Sequence, residues 1–316
     1  MDITQHGLLL IALVSNLASI VFSVFDATGT GGFFNNSISY LSLKYYEEVT
    51  PAPIVFGIIW PIVYVWNLAG VLYIVASVNL PTNQSPVNMS PTLISKGFLV
   101  FYSIGFLSTV GWLFAYDRES LELSLVALLL GVVSLGASLG ISYKLVYDNL
   151  AKLEMNSQEV LWLMRILVQN GLALFATWLS VASAIGFCEL ITYKDSPGYG
   201  KAVLRGFFTE EDASTLTLSL VLSIIVTWFI MENFVWQKYC QYTLTVYPVY
   251  ILALAGLVGR LQNEEDATRN LLLAAIALGV AILAFLARIA ITVYRLTPPN
   301  QKYKDDCQKL KLHMYE

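Results

Sequence analysis

The sequence predicts an all-α, polytopic membrane bundle of about eight transmembrane helices. Three observations carry this. Eight apolar runs occupy more than half of the 316 residues, at roughly 7–25, 54–78, 97–116, 123–143, 166–191, 216–236, 244–261 and 271–294. The chain is 57% hydrophobic and only 13% charged, where soluble domains carry about 25% charge. Its mean hydropathy is +0.65. A spanning helix needs about 20 apolar residues to cross a hydrocarbon layer of about 30 Å. In lipid the backbone must satisfy its own N–H and C=O groups, so runs of this kind are helices.

Composition also excludes functions. A net charge of −4 argues against nucleic acid. The three cysteines, Cys188, Cys240 and Cys307, are scattered and form no disulfide framework or metal motif. The two histidines, His6 and His313, lie at opposite ends, which rules out an intramembrane haem or iron site built on several histidines. Run 1 lacks a basic flank and a clear cleavage site, and reads as a retained helix rather than a signal peptide.

If the runs alternate, both termini share one face, side A. Side A carries ten lysines and arginines and side B seven. The positive-inside rule then places the termini in the cytoplasm. Half of that excess sits in the C-terminal tail. The organelle is left between the mitochondrial outer membrane and a secretory-pathway membrane. Three glycosylation triplets begin at Asn35, Asn83 and Asn88. They fall on opposite sides, so one set is unused. Asn35 is the better acceptor, because the other two triplets precede proline, although all three are equally readable as chance.

Run 2 is the richest element. Phe56, Trp60, Tyr64, Asn67 and Val71 recur every three or four residues and share one helical stripe. Thr50-Pro51-Ala52-Pro53 forms a stiff entry, and Pro61 frees the carbonyl of Gly57. The stripe suits the wall of a site for a flat apolar ligand; the alternative is plain helix packing. The loop Asp26–Thr50 is first glycine-rich (Gly29, Gly31, Gly32) and then aromatic (Phe33, Phe34, Tyr40, Tyr45, Tyr46). It is expected to lie at the interface and cover a cavity opening. Asn16 in run 1 and Asn67 in run 2 sit near mid-span, where an interhelical amide bond is expected as packing glue.

Run 4 holds a small-residue face over 131–142, with Ser134, Ser138 and Ser142 and the stretch Gly136-Ala137-Ser138-Leu139-Gly140. This suits either an internal contact or a dimer face. Glu232 in run 6 and Arg288 in run 8 lie at matching depths of about 7 and 10 Å from side A. Intramembrane charges are costly and pair, so the two are expected to face each other as a structural clamp or as a gating site. Apart from these and Glu189 at the end of run 5, the spans hold almost nothing titratable.

From run 2 onward the chain resembles the TspO/MBR family, the translocator or tryptophan-rich sensory proteins. The resemblance rests on Pro51, Phe56, Gly57, Trp60 and Tyr64, on Leu107–Tyr116 with Trp112, and on Asn170–Leu179 with Phe175, Ala176 and Trp178. It covers about residues 1–192. Ile54, Thr109, Leu172 and Ser180 depart from the family pattern. The resemblance implies a five-helix core with a pocket for porphyrins, sterols or drug-like heterocycles, closed by the first long loop. Porphyrin, haem or sterol is thus the expected bound molecule. The ligand-binding residues are expected to be Phe56, Trp60, Tyr64, Asn67, Trp112, Asn170 and Trp178, with Trp60 and Tyr64 stacking on a planar ligand. Runs 6–8 (216–294) form an extension that the resemblance does not explain. It is preceded by a linker over 194–215 and followed by a polar tail over 295–316. Thr209 with Asp212 resembles a helix N-cap and its third-position acid.

The leading expectation is a membrane protein that binds or translocates a flat apolar ligand. One alternative is a scaffold or homodimer assembling through 131–142 and 216–294. Another is a secondary transporter or channel that uses Glu232 and Arg288, with Pro61 and Pro248 as candidate helix breaks. No metal site and no catalytic residues are found, and the expected partners are the bilayer and a hydrophobic small molecule. An enzyme, including one acting on porphyrins by light, is the least expected outcome.

Overall fold

The computed structural model describes residues 3–45, 47–193, 209–263 and 268–296. The linker residues 194–208, Tyr46, and nearly all of the polar tail, with Cys307 and His313, lie outside the described residues.

Eight helices account for the eight runs. They are α1 (Ile3–Thr28), α3 (Pro53–Ala76), α4 (Lys96–Asp117), α5 (Leu121–Asp148), α8 (Asn170–Tyr193), α9 (Glu210–Ile230), α11 (Val246–Leu261) and α12 (Arg269–Leu296). Seven segments are long and apolar enough to span a membrane, and Val246–Leu261 is shorter. The protein is a multi-pass integral membrane bundle. Short helices connect or precede the spans: α2 (Ile38–Lys44), α6 (Leu150–Asn156), α7 (Gln158–Leu163) and α10 (Gln237–Cys240).

The segment Gln158–Tyr193, which contains α8, is the axis of the bundle. Its most apolar stretch is 72% buried, against 22% for the segment of α9. α8 packs on α3, α5, α9 and α11, while α4 joins α5 to α1. α12 closes against α9 and α11. The three added helices are therefore joined directly to the core. At one seam, the backbone N–H of Ala52 donates to the Gly256 carbonyl at 3.2 Å. A side chain at Gly256 would run into Val55, so only glycine lets α11 approach the start of α3.

α9 starts at Glu210, inside the stretch expected to be linker. Thr209 and Asp212 form a complete capping box there, which sets the helix start ahead of the first apolar residues. α3 begins at Pro53, as the proline-rich entry requires, and continues through Pro61. Pro248 falls in the first turn of α11 and breaks nothing. The irregularities lie elsewhere, in π-helical turns at Met164–Gln169 and Met231–Val235. Proline pattern gives no sign of these. The first is held by α3: the Trp66 indole N–H donates to the Ile166 carbonyl at 2.9 Å.

The expected amide pair between runs 1 and 2 is bridged rather than direct. Asn16 donates to the Tyr102 hydroxyl at 2.9 Å, and that hydroxyl reaches the Asn67 carbonyl at 3.5 Å. The small face of run 4 divides in two. Ser134, Ser138 and Ser142 are buried, with Ser138 donating to the Phe98 carbonyl at 3.1 Å and Ser142 accepting from Gln169 at 3.3 Å. Gly136 and Gly140 instead face open space. Of the glycosylation triplets, Asn88 has its amide nitrogen bound to the carbonyls of Val78 and Leu80, so it is occupied within the fold.

Candidate functional site: an aromatic hollow with an acidic roof

The aromatic stripe of α3 turns inward. Trp60 stacks on Trp112 of α4, with ring centres 5.8 Å apart, and on Tyr64 at 5.4 Å. The Trp178 indole of α8 meets Trp60 edge-on at 5.9 Å and Phe56 at 5.6 Å. These offset and edge contacts are the arrangements that ring quadrupoles favour. A hollow of about 40 Å³ remains beside them. Phe56, Trp60, Trp112 and Trp178 line it from the core, and Ile38 and Ser42 of α2 from above.

The loop over this hollow is an ordered cover. Ser37 caps α2 by accepting from the Tyr40 N–H. Gly29, Gly31 and Gly32 take φ of 65°, 81° and 66°, which glycine adopts without cost. Asp117 at the end of α4 accepts from the N–H groups of Asn35 and Asn36 at 2.7 and 2.8 Å. Beyond α2, Lys44 and Tyr45 both bond to Glu119. Partial burial pushes the Glu119 carboxyl up, yet those two bonds and the lysine charge hold it below the ordinary range. Phe34 packs on Phe22 and Phe114, while Tyr40 stays exposed.

Three of the seven expected ligand residues do not line this hollow. Tyr64 is buried and bonds to Ser23 at 2.5 Å. The Asn67 amide donates to the carbonyls of Val63 and Gly171, which ties α3 to α8. Asn170 donates to the carbonyls of Arg165 and Tyr242 and accepts from the Leu244 N–H. It pins the entry of α11 beside the first π turn. Both amides are consumed by the fold, because a buried amide without partners costs more than one that joins two helices.

Apart from Trp178, the polar residues that line the hollow were not among the expected ligand residues. Glu189 and Tyr116 line it, with the Tyr116 hydroxyl donating to Glu189 Oε1 at 2.8 Å. Thr50 and Trp178 also line it, and the Thr50 hydroxyl and the Trp178 indole N–H have no hydrogen-bond partner. Glu47 is buried nearby, without a charged partner among the described residues. It lies close enough to Glu189 for their charges to repel, with Cys188 and Thr192 beside it. Burial, reinforced by that repulsion, pushes the Glu47 carboxyl well above its ordinary range. A lone acid near the end of an apolar run was the one legible signal.

Glu232 and Arg288 meet, Oε2 to Nε at 3.6 Å, with both side chains fully buried. Glu232 also accepts from Trp228 at 3.1 Å, from Asn233 at 3.3 Å and from Tyr247. Arg288 donates to Asn233 Oδ1 at 3.0 Å and to the Cys240 carbonyl. Glu232 lies in the second π turn, and Arg288 Nε, 3.6 Å from it, makes no hydrogen bond.

A second, larger space of about 610 Å³ lies between core and extension. Gly136 and Gly140 of α5, Ala173 and Thr177 of α8, Trp228 of α9 and Tyr250 of α11 line it. Tyr250 shares a hydrogen bond of 2.9 Å with Ser180. Its volume is within the usual range of small-molecule sites, about 300–1,000 Å³. The aromatic hollow is far smaller. Among the described residues, no group of three or more histidine, cysteine or acidic side chains could hold a metal ion.

A family model described as TSPO-like protein matches residues 9–291. The match runs through α12, so the helices read as an extension lie within the span of the family and not beyond it. No curated protein and no solved structure matches the chain.

Proposed function

Because this chain belongs to the TSPO-like family, we propose that it binds a flat apolar molecule of the porphyrin or sterol kind in the five-helix core, under the α2 cover. The observation that supports this is the cage of Phe56, Trp60, Trp112 and Trp178 around a hollow whose lining residues Thr50 and Trp178 each carry an unpartnered polar atom. A buried N–H or hydroxyl without a partner costs about 1–3 kcal/mol. A guest that satisfies these atoms recovers that cost. The hollow, about 40 Å³, is far smaller than such a guest, so entry requires the rings to part and the cover to lift. Breaking the Lys44–Glu119 latch speeds entry in this reading.

The competing location is the 610 Å³ cleft. Protoporphyrin quenching of tryptophan fluorescence in purified protein separates the two. Trp60→Leu weakens binding if the guest sits in the hollow. Gly140→Leu, which fills open space in the cleft, leaves binding unchanged. The reverse pattern moves the site to the cleft, unchanged quenching in both variants removes both locations, and absence of quenching in wild type removes the binding reading.

A further inference from the structure

Glu189 is 4% exposed and Glu47 3%. Among the described residues, no lysine, arginine or histidine stands in salt-bridge reach of either carboxylate. Among the described residues, the one hydrogen bond to the Glu189 side chain comes from Tyr116. A carboxylate held out of water is normally paired with a cation or kept neutral. This chain pairs its other intramembrane acid, Glu232, with Arg288. It leaves the acid that lines the hollow without one. Trp60 and Trp112, stacked on each other, line the same hollow.

We propose that Glu189 is a specificity-determining residue of the hollow, and that it selects flat aromatic ligands bearing a basic nitrogen, whose protonated N–H seats on this carboxylate. The inference rests on the core-binding reading above and adds the ligand class to it. The nitrogen lies at the side B end of the hollow, since Glu189 is one turn before the end of α8 at Tyr193. Tyr116 positions the carboxylate through its hydroxyl. The Thr50 hydroxyl and the Trp178 N–H remain for polar atoms elsewhere on the ligand ring.

Two tricyclic probes of similar shape test this in nanodiscs of zwitterionic lipid: 9-aminoacridine, which is cationic at neutral pH, and 9-anthracenemethanol, which is neutral. Binding is read from quenching of the protein tryptophans. Wild type should prefer the amine. Glu189→Gln should weaken the amine about tenfold or more, the effect of losing one charge-assisted hydrogen bond, and leave the alcohol unchanged. Equal binding of both probes to wild type overturns the proposal while the hollow stands as a binding site, and this comparison needs no variant to fold. Amine preference that persists undiminished in folded Glu189→Gln also overturns it. Failure of both probes to bind wild type overturns the core-binding reading itself.

Discussion

Two buried acids in one bundle meet opposite fates. Glu232, between α9, α11 and α12, has an arginine and three hydrogen-bond donors around it. Glu189, between α4 and α8, has a single tyrosine hydroxyl and a neighbouring acid. The physical chemistry of taking a carboxylate out of water is the same in both places. The chain answers it with its own side chains in the extension and leaves it unanswered beside the hollow. The ion pair with its hydrogen bonds ties α9, α11 and α12 together, whereas Glu189 makes no ion pair among the described residues.

The strongest test removes the partner that Glu189 lacks. Arg288→Met strands Glu232 in the bundle and should destabilise the protein by about 3–5 kcal/mol. Glu232→Gln should do comparable harm by stranding the arginine, whereas the double variant should recover most of the loss. Thermal unfolding in detergent measures all three. A mild effect of Arg288→Met would show that water reaches the clamp and would dissolve the contrast.

The tyrosines sharpen it. Tyr116→Phe removes the only donor to Glu189 and should cost about 1–3 kcal/mol, while Tyr247→Phe leaves Glu232 two other donors and should cost about 0.5–1.5 kcal/mol. The reverse order would mean that Glu189 is solvated and not held by the fold. A smaller change is expected at the acid itself. Glu189→Gln keeps the shape and removes no ion pair, so stability should move by less than about 1 kcal/mol. A loss equal to that of Glu232→Gln would make Glu189 a structural residue.

The fold was legible because its signal is coarse. Apolar length in lipid admits only helices, so the eight runs and the eight helices coincide within a few residues. Thr209 with Asp212 was legible because a capping box is local chemistry. Glu232 and Arg288 stood out because each is a lone charge in an apolar run, and alternating topology brings their ends to one side. The site was less legible. An amide at mid-span serves packing or binding equally well, and only the partners of Asn67 and Asn170 decide between them. The π turns leave no trace in composition. Thr50 and Glu47 come from a loop, and their burial depends on how α2 folds back over the core.

The subtlest test concerns Glu47, which lies outside the spans and whose carboxyl is raised by burial and by the charge of Glu189. The unfolded chain titrates an ordinary glutamate near about 4.3. A group raised in the folded state binds its proton more tightly there than in the unfolded chain. Its favourable contribution is therefore complete below the unfolded value and fades as pH climbs through the folded one. Unfolding followed across the acid-to-neutral range should show wild type losing stability with rising pH over that window. Glu47→Gln keeps the neutral form at every pH, so its profile should be flatter and should lie above wild type at neutral pH. A parallel pair of curves would mean that Glu47 titrates alike in the folded and unfolded chain, and would place its carboxyl in contact with water rather than held neutral by burial.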